Sequence, residues 1–377
     1  MSPGSITYDF IVIGAGIAGS AAAYELAELS NVLLLEAEQQ PGYHSSGRSA
    51  ALFTANYGSE LVRRINRLSR PFFMSPYEGF VEDNLLHPRG ALTVAGPEQE
   101  SELDETLTLS TQQDPIVEIP VSEAIAMAPF LRPEYTSRAV FEAGVSDIEA
   151  SLLLQSYIKG FRKRNGQFVA GERVVSLKRA HGNWTVTTEK NVYCANVLVN
   201  AAGAWADEIG VLAGTNPTGL VPKRRTAIIV DALPDINCAT TPVIDFLSSG
   251  AYIKPEAGRL MVSPGDATPT TAHDVQAEEM DVAVLADWVE TETLIPVSRI
   301  HHRWAGLRSF VSDDSPVVGQ DPDVGNFIWD GAHGGFGIMM APALARAVAS
   351  LCFNDTLPDD FTAAGITAFE LSPSRLA

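Results

Sequence analysis

Cysteine is scarce in this chain, and the few present exclude two kinds of architecture. Cys194, Cys238 and Cys352 are the 3 cysteines among 377 residues. An odd number, far apart and without a CxxC pair, points to neither a disulfide framework nor a zinc site. Positive charge is short as well: 26 Lys and Arg stand against 46 Asp and Glu, a formal net charge of −20, which argues against a nucleic-acid or anionic-membrane surface. No uninterrupted apolar run reaches the roughly 18 residues that span a bilayer. No basic segment followed by a signal-type apolar core precedes the first strand pattern, so a cytosolic (cytoplasmic) protein is expected. The 7 histidines include the adjacent His301 and His302, which on a strand point to opposite faces, and no HExxH spacing occurs. No metal is expected. What is left, 46% hydrophobic and 19% charged residues, is the makeup of an ordinary globular chain, long enough for two domains or one large interleaved body.

What the chain does have begins almost at once. The run Tyr8 to Ser20 is an apolar strand that leads into GxGxxG and then into a helix carrying Ala21, Ala22, Ala23 and Leu26. Gly14 permits a tight turn, Gly16 lets backbone approach a pyrophosphate, and Gly19 allows close helix-strand packing. The helix N-terminus at Ile17 and Ala18 offers free N–H groups and a partial positive charge to an anion. A second strand, Asn31 to Leu35, ends in Glu36 and Ala37, about twenty residues past the glycines, where a carboxylate accepts hydrogen bonds from a ribose with free hydroxyls. Strand, helix, second strand and acid fall in register, so a dinucleotide is expected; FAD and NAD both satisfy the pattern.

Farther on, Gln40 to Ala50 is a loop of small residues including Ser46, Gly47, Arg48 and Ser49, rich in donors that suit a phosphate or a flat ring. Residues 59 to 74 read as a helix with Leu61, Ile65, Leu68 and Phe72 on one stripe and Arg63, Arg64, Arg67 and Arg70 on a solvated face. Strands and a polar helix follow from about 85 to 145, and Ser146 with Glu149 forms a capping-box pattern ahead of another helix. Arg173 to Leu177, Trp184 to Thr188 and Asn191 to Cys194 read as a meander, and Val197 to Trp205 as a buried strand ending in small residues. A β-rich segment occupies about 217 to 300, with strands at Arg225 to Val230, Val243 to Phe246 and Ala251 to Lys254. A strand at Asn326 to Trp329, the cluster Gly331, Gly334, Gly335, Gly337 and a helix from Ile338 to Leu351 close the chain.

Taken together, GAGIAG, the Glu36 strand end, SSGRSAA at 45 to 51, NAAGAW at 200 to 205, GLRSF, SPVVG and GAHGGFG resemble the D-amino-acid oxidase-like family of FAD enzymes, which includes glycine and sarcosine oxidases, over essentially the whole chain. The runs PKRRTA, AYIKPEAG, AGLRSFV and LSPSRL resemble its bacterial D-arginine dehydrogenase branch. The resemblance implies an α/β plus α+β architecture: a Rossmann-type FAD-binding domain in residues 1–84, 146–214 and 301–377, and a discontinuous β-sheet-rich substrate domain in 85–145 and 215–300. It implies noncovalent FAD, because the segment after Arg308 has no cysteine for attachment. Beyond the residues above, it sets Val174, Ala202, Gly203 and Trp205 along the cofactor. Gly334, Gly335, Phe336, Gly337 and Ile338 would lie at the flavin pyrimidine end, where backbone N–H groups and a helix dipole favour the charge that reduction brings.

For the substrate, the resemblance assigns the carboxylate of an α-amino acid to Arg225, Arg308, Tyr57 and Tyr252, with Gly335 beside them. A guanidinium fork meets a carboxylate through paired, charge-assisted hydrogen bonds, which orients Cα–H for hydride transfer to a flavin. The pocket would add Leu52, Thr54, Ala91 and Asp245. In the D-arginine branch a histidine and a glutamate stand where this chain has Leu52 and Ala91, so an uncharged or apolar side chain is expected. Asp245 is left open between a carboxylate facing the pocket and one facing water. The reading is oxidative deamination of a D-amino acid, with electrons passing to a quinone, another carrier or oxygen. Alternatives are a secondary-amine enzyme of sarcosine or opine type, a 2-hydroxy-acid oxidoreductase, a non-catalytic FAD-binding subunit, and an NAD dehydrogenase. The loop from Ala50 to Gly58, with Tyr57 on it, reads as a lid.

Overall fold

The computed structural model describes residues 7–234 and 236–376. Its first strand, Thr7–Ile13, lies in an eight-stranded sheet between two parallel neighbours, Val32–Leu35 and Val192–Asn200. Strands covered on both faces carry no polar alternation, and Val12, Leu33, Leu34 and Leu198 are fully buried. The segments expected at 191–194 and 197–205 merge into one strand that ends at Asn200, and Gly203–Trp205 is a short helical turn. Val192–Asn200 first pairs antiparallel with Asn183–Thr188, then hands that edge to Phe327–Gly331 while its other edge stays on Thr7–Ile13.

Helices Ile17–Leu26, Ala150–Lys163, Glu60–Met74 and Gly337–Asn354 pack together over this sheet. The last is 18 residues long and apolar enough to cross a membrane by length and composition. In this fold it is a core helix, with Met340, Ala343 and Val348 at 0% exposure. The expected capping box at Ser146 does not form. Ser146–Ile148 is a strand between Leu52–Phe53 and Leu86–Pro88, and Ala150–Lys163 starts without a side-chain cap. Strand pairing uses the Ser146 backbone that an N-cap would need; the box found here is Thr367 with Glu370.

The arginines of Glu60–Met74 are not a solvated face. Arg67 Nε donates to Asp114 Oδ2 at 3.0 Å, Arg70 pairs with the other oxygen of that 3%-exposed acid, Arg64 pairs with Glu370 at 2.9 Å, and Arg63 donates to Gly58 O at 2.6 Å. An acid that deeply buried is stable as a charge only when cations and donors surround it.

The second sheet has nine strands. Its spatial order runs Thr268–Pro269, Val221–Val230, Arg259–Ser263, Tyr252–Glu256, Val243–Phe246, Ala91–Ala95, Arg138–Glu142, Val117–Ile119, with Ile300–Phe310 also on Val221–Val230. One face carries the apolar residues Ile228, Val262, Ile253, Ile244 and Leu92, all at 0% exposure. Helices Val121–Met127 and Glu279–Glu292 cover it through Ala124, Val282, Leu285 and Val289. The second of these helices lies in the segment expected to be strands; its apolar positions 282, 285 and 289 are helically spaced. Strand Ile300–Phe310 falls across the boundary drawn at 301, yet it pairs with Val221–Val230 from Val221↔Phe310 to Val230↔Ile300. The opposite face of this sheet looks toward the first sheet's glycine loops.

Candidate active site

The cofactor end is shaped by what backbone permits. Gly14 has φ +101°, and a Cβ there would lie 2.4 Å from Ala201 O; a Cβ at Gly19 would lie 1.9 Å from Gly14 O. The first glycine is required by both conformation and space, the second by space alone. Gly16, the N-cap residue, offers no side-chain cap to the helix that starts at Ile17, and Ser46 Oγ accepts from the Ile17 N–H at 2.9 Å. Glu36 binds the turn from the next strand, accepting from Ala15 N–H at 2.8 Å and from Glu38 N–H at 2.9 Å, while burial raises its carboxyl above the usual range. Each of its oxygens keeps a second lone pair for a ribose hydroxyl.

Three cavities meet along this line. One of about 220 Å3 is walled by Gly14, Glu36, Ala37, Val174, Ala202 and Trp205. Through Gly16, Ser46 and Gly203 it adjoins a second of about 140 Å3, walled also by Ile17, Ala18 and Arg48 and, from the last glycine cluster, by Gly334, Gly335, Gly337 and Ile338. The second adjoins a third of about 410 Å3 at Ser49, Arg225, Tyr252 and Arg308. A long ligand with a phosphate-bearing middle fits the first two, and the helix N-terminus and the Cβ-free turn at their junction, with the Ser46 hydroxyl beside them, fit a pyrophosphate. Gly47 lines none of the three: its N–H donates to Gly42 O at 2.8 Å, and its place is in the turn. Gly19 likewise serves packing. Arg48 is also a clip, donating to Ala305 O on the second sheet at 3.0 Å and to Val275 O, in the segment before the helix Glu279–Glu292, at 2.8 Å.

The substrate end is one face of the second sheet. Register pairs Lys223 with Arg308, Arg225 with Gly306, and Asp245 with both Tyr252 and Thr93. Cross-strand partners share a face, so Arg225, Arg308 and Tyr252 converge with Asp245 on the third cavity. Arg225 is held by Asp266, through the backbone carbonyl and an ion pair at 3.8 Å. Burial and the neighbouring Arg308 cation lower its pKa, opposed by Tyr252 and Tyr57. The glycine cluster is tied to the Arg308 strand by Gly334 N–H to Ser309 O at 2.9 Å, and a Cβ at Gly335 would lie 2.8 Å from Arg308 Nη1. That glycine makes room for the guanidinium. Among the described residues, neither the Arg308 guanidinium nor the hydroxyls of Tyr57 and Tyr252 have a hydrogen-bond partner, and all three border the cavity.

Leu52, Thr54, Ala91, Asp245 and Phe336 line the same cavity. Asp245 is half-buried and lines the cavity, and burial raises its carboxyl to about 6. Sequence reasoning missed Glu142, the cross-strand partner of Ala91, which lines the cavity with its carboxyl raised to about 7 by burial and by Asp114. It also missed Asn56, whose Nδ2 donates to Glu142 at 3.1 Å, and His44, which packs on Trp205 with ring centroids 4.6 Å apart. Only sheet register reveals Glu142. In the last glycine cluster, His333 Nε2 stands 2.9 Å from Asp330 Oδ1.

The family described as FAD dependent oxidoreductase, DAO, matches residues 9–351. Rat (Rattus norvegicus) mitochondrial dimethylglycine dehydrogenase is 25% identical over 97% of this chain, which spans 44% of that protein's length. Glycine oxidase of Geobacillus kaustophilus (strain HTA426) is 23% identical, with 98% of this chain and 96% of that one covered; the crystal structure of a glycine oxidase from that species superposes with a TM-score of 0.79 at 21% identity, covering 92% and 94%. L-proline dehydrogenase from P. horikoshii superposes with a TM-score of 0.81 at 19% identity, covering 96% and 100%. The glycine turn, the helix N-terminus and the paired cavities have the chemistry that FAD requires. The chain belongs to the DAO family of FAD-dependent oxidoreductases.

Proposed function

We propose that this protein oxidises an α-amino acid, D-configured, to the imino acid, which water converts to a 2-oxo acid and ammonia. The observation that carries this reading is the convergence of Arg225 and Arg308 on one cavity, the second without a partner among the described residues. Two guanidiniums that repel each other in a partly desolvated site are stabilised by an anion between them, and a carboxylate matches their planar donors. Tyr57 and Tyr252 add hydroxyl donors to the same anion.

With the carboxylate fixed, the chain's task is orientation, which lowers the barrier by removing alternative poses. FAD, which the glycine turn, Glu36 and the last glycine cluster would hold, would supply a two-electron acceptor for the hydride that leaves Cα as the nitrogen lone pair forms the C=N bond. No side chain is needed to abstract the Cα proton. Gly335 leaves the approach to Arg308 free of a Cβ. A quinone, another carrier or oxygen would take up the two electrons in turn.

The D configuration rests on the resemblance of PKRRTA, AYIKPEAG and AGLRSFV to the D-arginine dehydrogenase branch. Anaerobic bleaching of the flavin by matched D- and L-amino acids tests it; D-isomers are expected to bleach, and bleaching by L-isomers alone overturns the assignment. A second reading, oxidation of a secondary or tertiary amine such as an N-methylated glycine, is favoured by the similarity to dimethylglycine dehydrogenase. The arginine pair serves either substrate. Bleaching by N-methylglycines with primary amino acids inert decides for it.

A further inference from the structure

The cavity is cationic at one end and acidic at the other, and the acidic end has no part in holding an α-carboxylate. Asp245 is the cross-strand partner of Thr93, and Glu142 that of Ala91. The two acids therefore project from one sheet face, diagonal to each other across Ala91–Ala95, and both line the cavity. Three strand spacings separate the Arg225 strand from the Asp245 strand, roughly 14 Å at about 4.8 Å each. A gap of that size suits a dipolar molecule with an extended side chain.

Other charges near the acids are already engaged. Lys254 Nζ lies 2.7 Å from Glu256 and 3.3 Å from Asp147, and Arg89 Nη2 lies 2.6 Å from Asp147. Arg67 and Arg70 both hold Asp114. Glu100, Glu102, Asp104 and Glu105, on the helix that borders the cavity with Thr106, are exposed and none of them lines it. Glu142 has one fixed donor, Asn56; Asp245 has no hydrogen-bond or ion-pair partner among the described residues. Tyr252 and Thr93 are its neighbours across the sheet. With carboxyl groups raised to about 6 and about 7, the pair passes from neutral to anionic across the mildly acid to mildly alkaline range.

We propose that Glu142 and Asp245 are a titratable specificity filter: their charge decides whether the cavity accepts a side chain ending in a protonated nitrogen or one ending in an apolar group. The proposal rests on the amino-acid reading above, and it differs from the expectation of an uncharged side chain drawn from Leu52 and Ala91 alone. When both acids are protonated, the cavity offers an apolar wall with two neutral carboxyl groups. When they are ionised, a desolvated anion pair without a cation is costly, and an ammonium or guanidinium removes that cost. Selectivity between the two substrate types then rises with pH.

The test uses the FAD-loaded enzyme, anaerobically, with D-lysine, D-arginine and the near-isosteric D-norleucine. The readout is the ratio of flavin-reduction efficiencies between about pH 5.5 and 8.5, a range that brackets both acids. The α-amino groups titrate alike and cancel in the ratio, while the distal ammonium and guanidinium stay charged throughout. The ratio of cationic to neutral substrate is expected to rise about tenfold or more with pH, the worth of one charge-assisted pair, and to flatten in Glu142→Gln, in Asp245→Asn, or in both. A ratio independent of pH in the unaltered enzyme, or one that keeps its slope in both variants, overturns the filter. Bleaching by none of the amino acids of either hand overturns the amino-acid reading and the filter with it, whereas bleaching with a flat ratio sinks the filter alone. D-lysine and D-arginine separate a filter for a compact ammonium from one for a planar guanidinium.

Discussion

The Gly14 turn is made by neighbours in sequence and closed by a single backbone carbonyl, Ala201 O, 2.4 Å from where a Cβ would stand. The substrate wall is made by side chains from Ala91–Ala95, Arg138–Glu142, Val221–Val230, Val243–Phe246, Tyr252–Glu256 and Ile300–Phe310, brought to one face by register. At the first, identity is dictated by what cannot fit; at the second, by which charges face inward. The two ends should therefore fail differently. Gly14→Ala forces a side chain into left-handed backbone, costing roughly 1–2 kcal/mol, and into contact with a carbonyl besides. It is expected to yield protein with little or no bound FAD, read from the flavin absorbance of the purified chain. Full FAD occupancy in that variant would show that the turn is looser than its geometry.

At the substrate end the same comparison predicts loss of function without loss of cofactor. Arg308→Met removes a guanidinium that makes no contact essential to the fold, while each charge-assisted hydrogen bond it offers a carboxylate is worth about 1.5–3 kcal/mol. Reduction efficiency should fall by roughly 10- to 150-fold per bond lost, with FAD content unchanged. Arg225→Met should fall as far or farther, and it should also lower stability, because Asp266 keeps its Thr226 donors but loses its cation. Loss of FAD from Arg308→Met would erase the distinction between the two ends.

How much could be seen in the sequence follows the same division. The GAGIAG turn, Glu36 and the last glycine cluster were legible because each is a contiguous run whose geometry is local. Tyr57, Arg225, Tyr252 and Arg308 came from resemblance to a family, and spacing alone did not select them. Glu142 was invisible: nothing in FEAG marks an acid as inward until Ala91↔Glu142 is known. The arginines of Glu60–Met74 looked solvated because Asp114, which holds Arg67 and Arg70, lies in a separate loop. The helix Glu279–Glu292 was hidden in a segment dominated by strand patterns on either side. Long-range pairing decides these, and one sequence does not display it.

Glu142 also turns the comparison into a stability measurement. Its carboxyl is raised from 4.5 to about 7 in the folded chain, so the folded state holds the proton more tightly than the unfolded one. Its favourable contribution is complete below about pH 4.5 and is lost as pH rises through about 7. A shift of that size corresponds to a cost on the order of 3 kcal/mol at alkaline pH. Glu142→Gln should therefore melt higher than the unaltered protein at about pH 8.5, with the gap closing toward about pH 5. A gap that stays constant with pH would place the ionisation of Glu142 in its ordinary range.

Tyr57 stands between the two regimes, and its effect should be the smallest. The residue is 47% exposed, its ring packs edge-on against Phe336 at 5.2 Å between centroids, and its backbone carbonyl accepts from Asn66 Nδ2 at 3.4 Å. Ring and loop are thus held by the first sheet's helices while the hydroxyl stays free for a ligand. Tyr57→Phe keeps the ring and removes one neutral donor, worth about 0.5–1.5 kcal/mol. Efficiency should drop roughly 2- to 12-fold, with the melting temperature unmoved. Tyr57→Ala removes the packing on Phe336 as well, so it should cost more and, for a loop that closes over substrate, should loosen the closed state and speed product release. Stopped-flow reduction and steady-state turnover separate the two: loss of a lid slows reduction more than turnover, because release is eased, whereas loss of a plain carboxylate ligand slows both by weakening binding. If both variants match the unaltered enzyme in both assays, the loop from Ala50 to Gly58 is a wall and neither a ligand nor a lid.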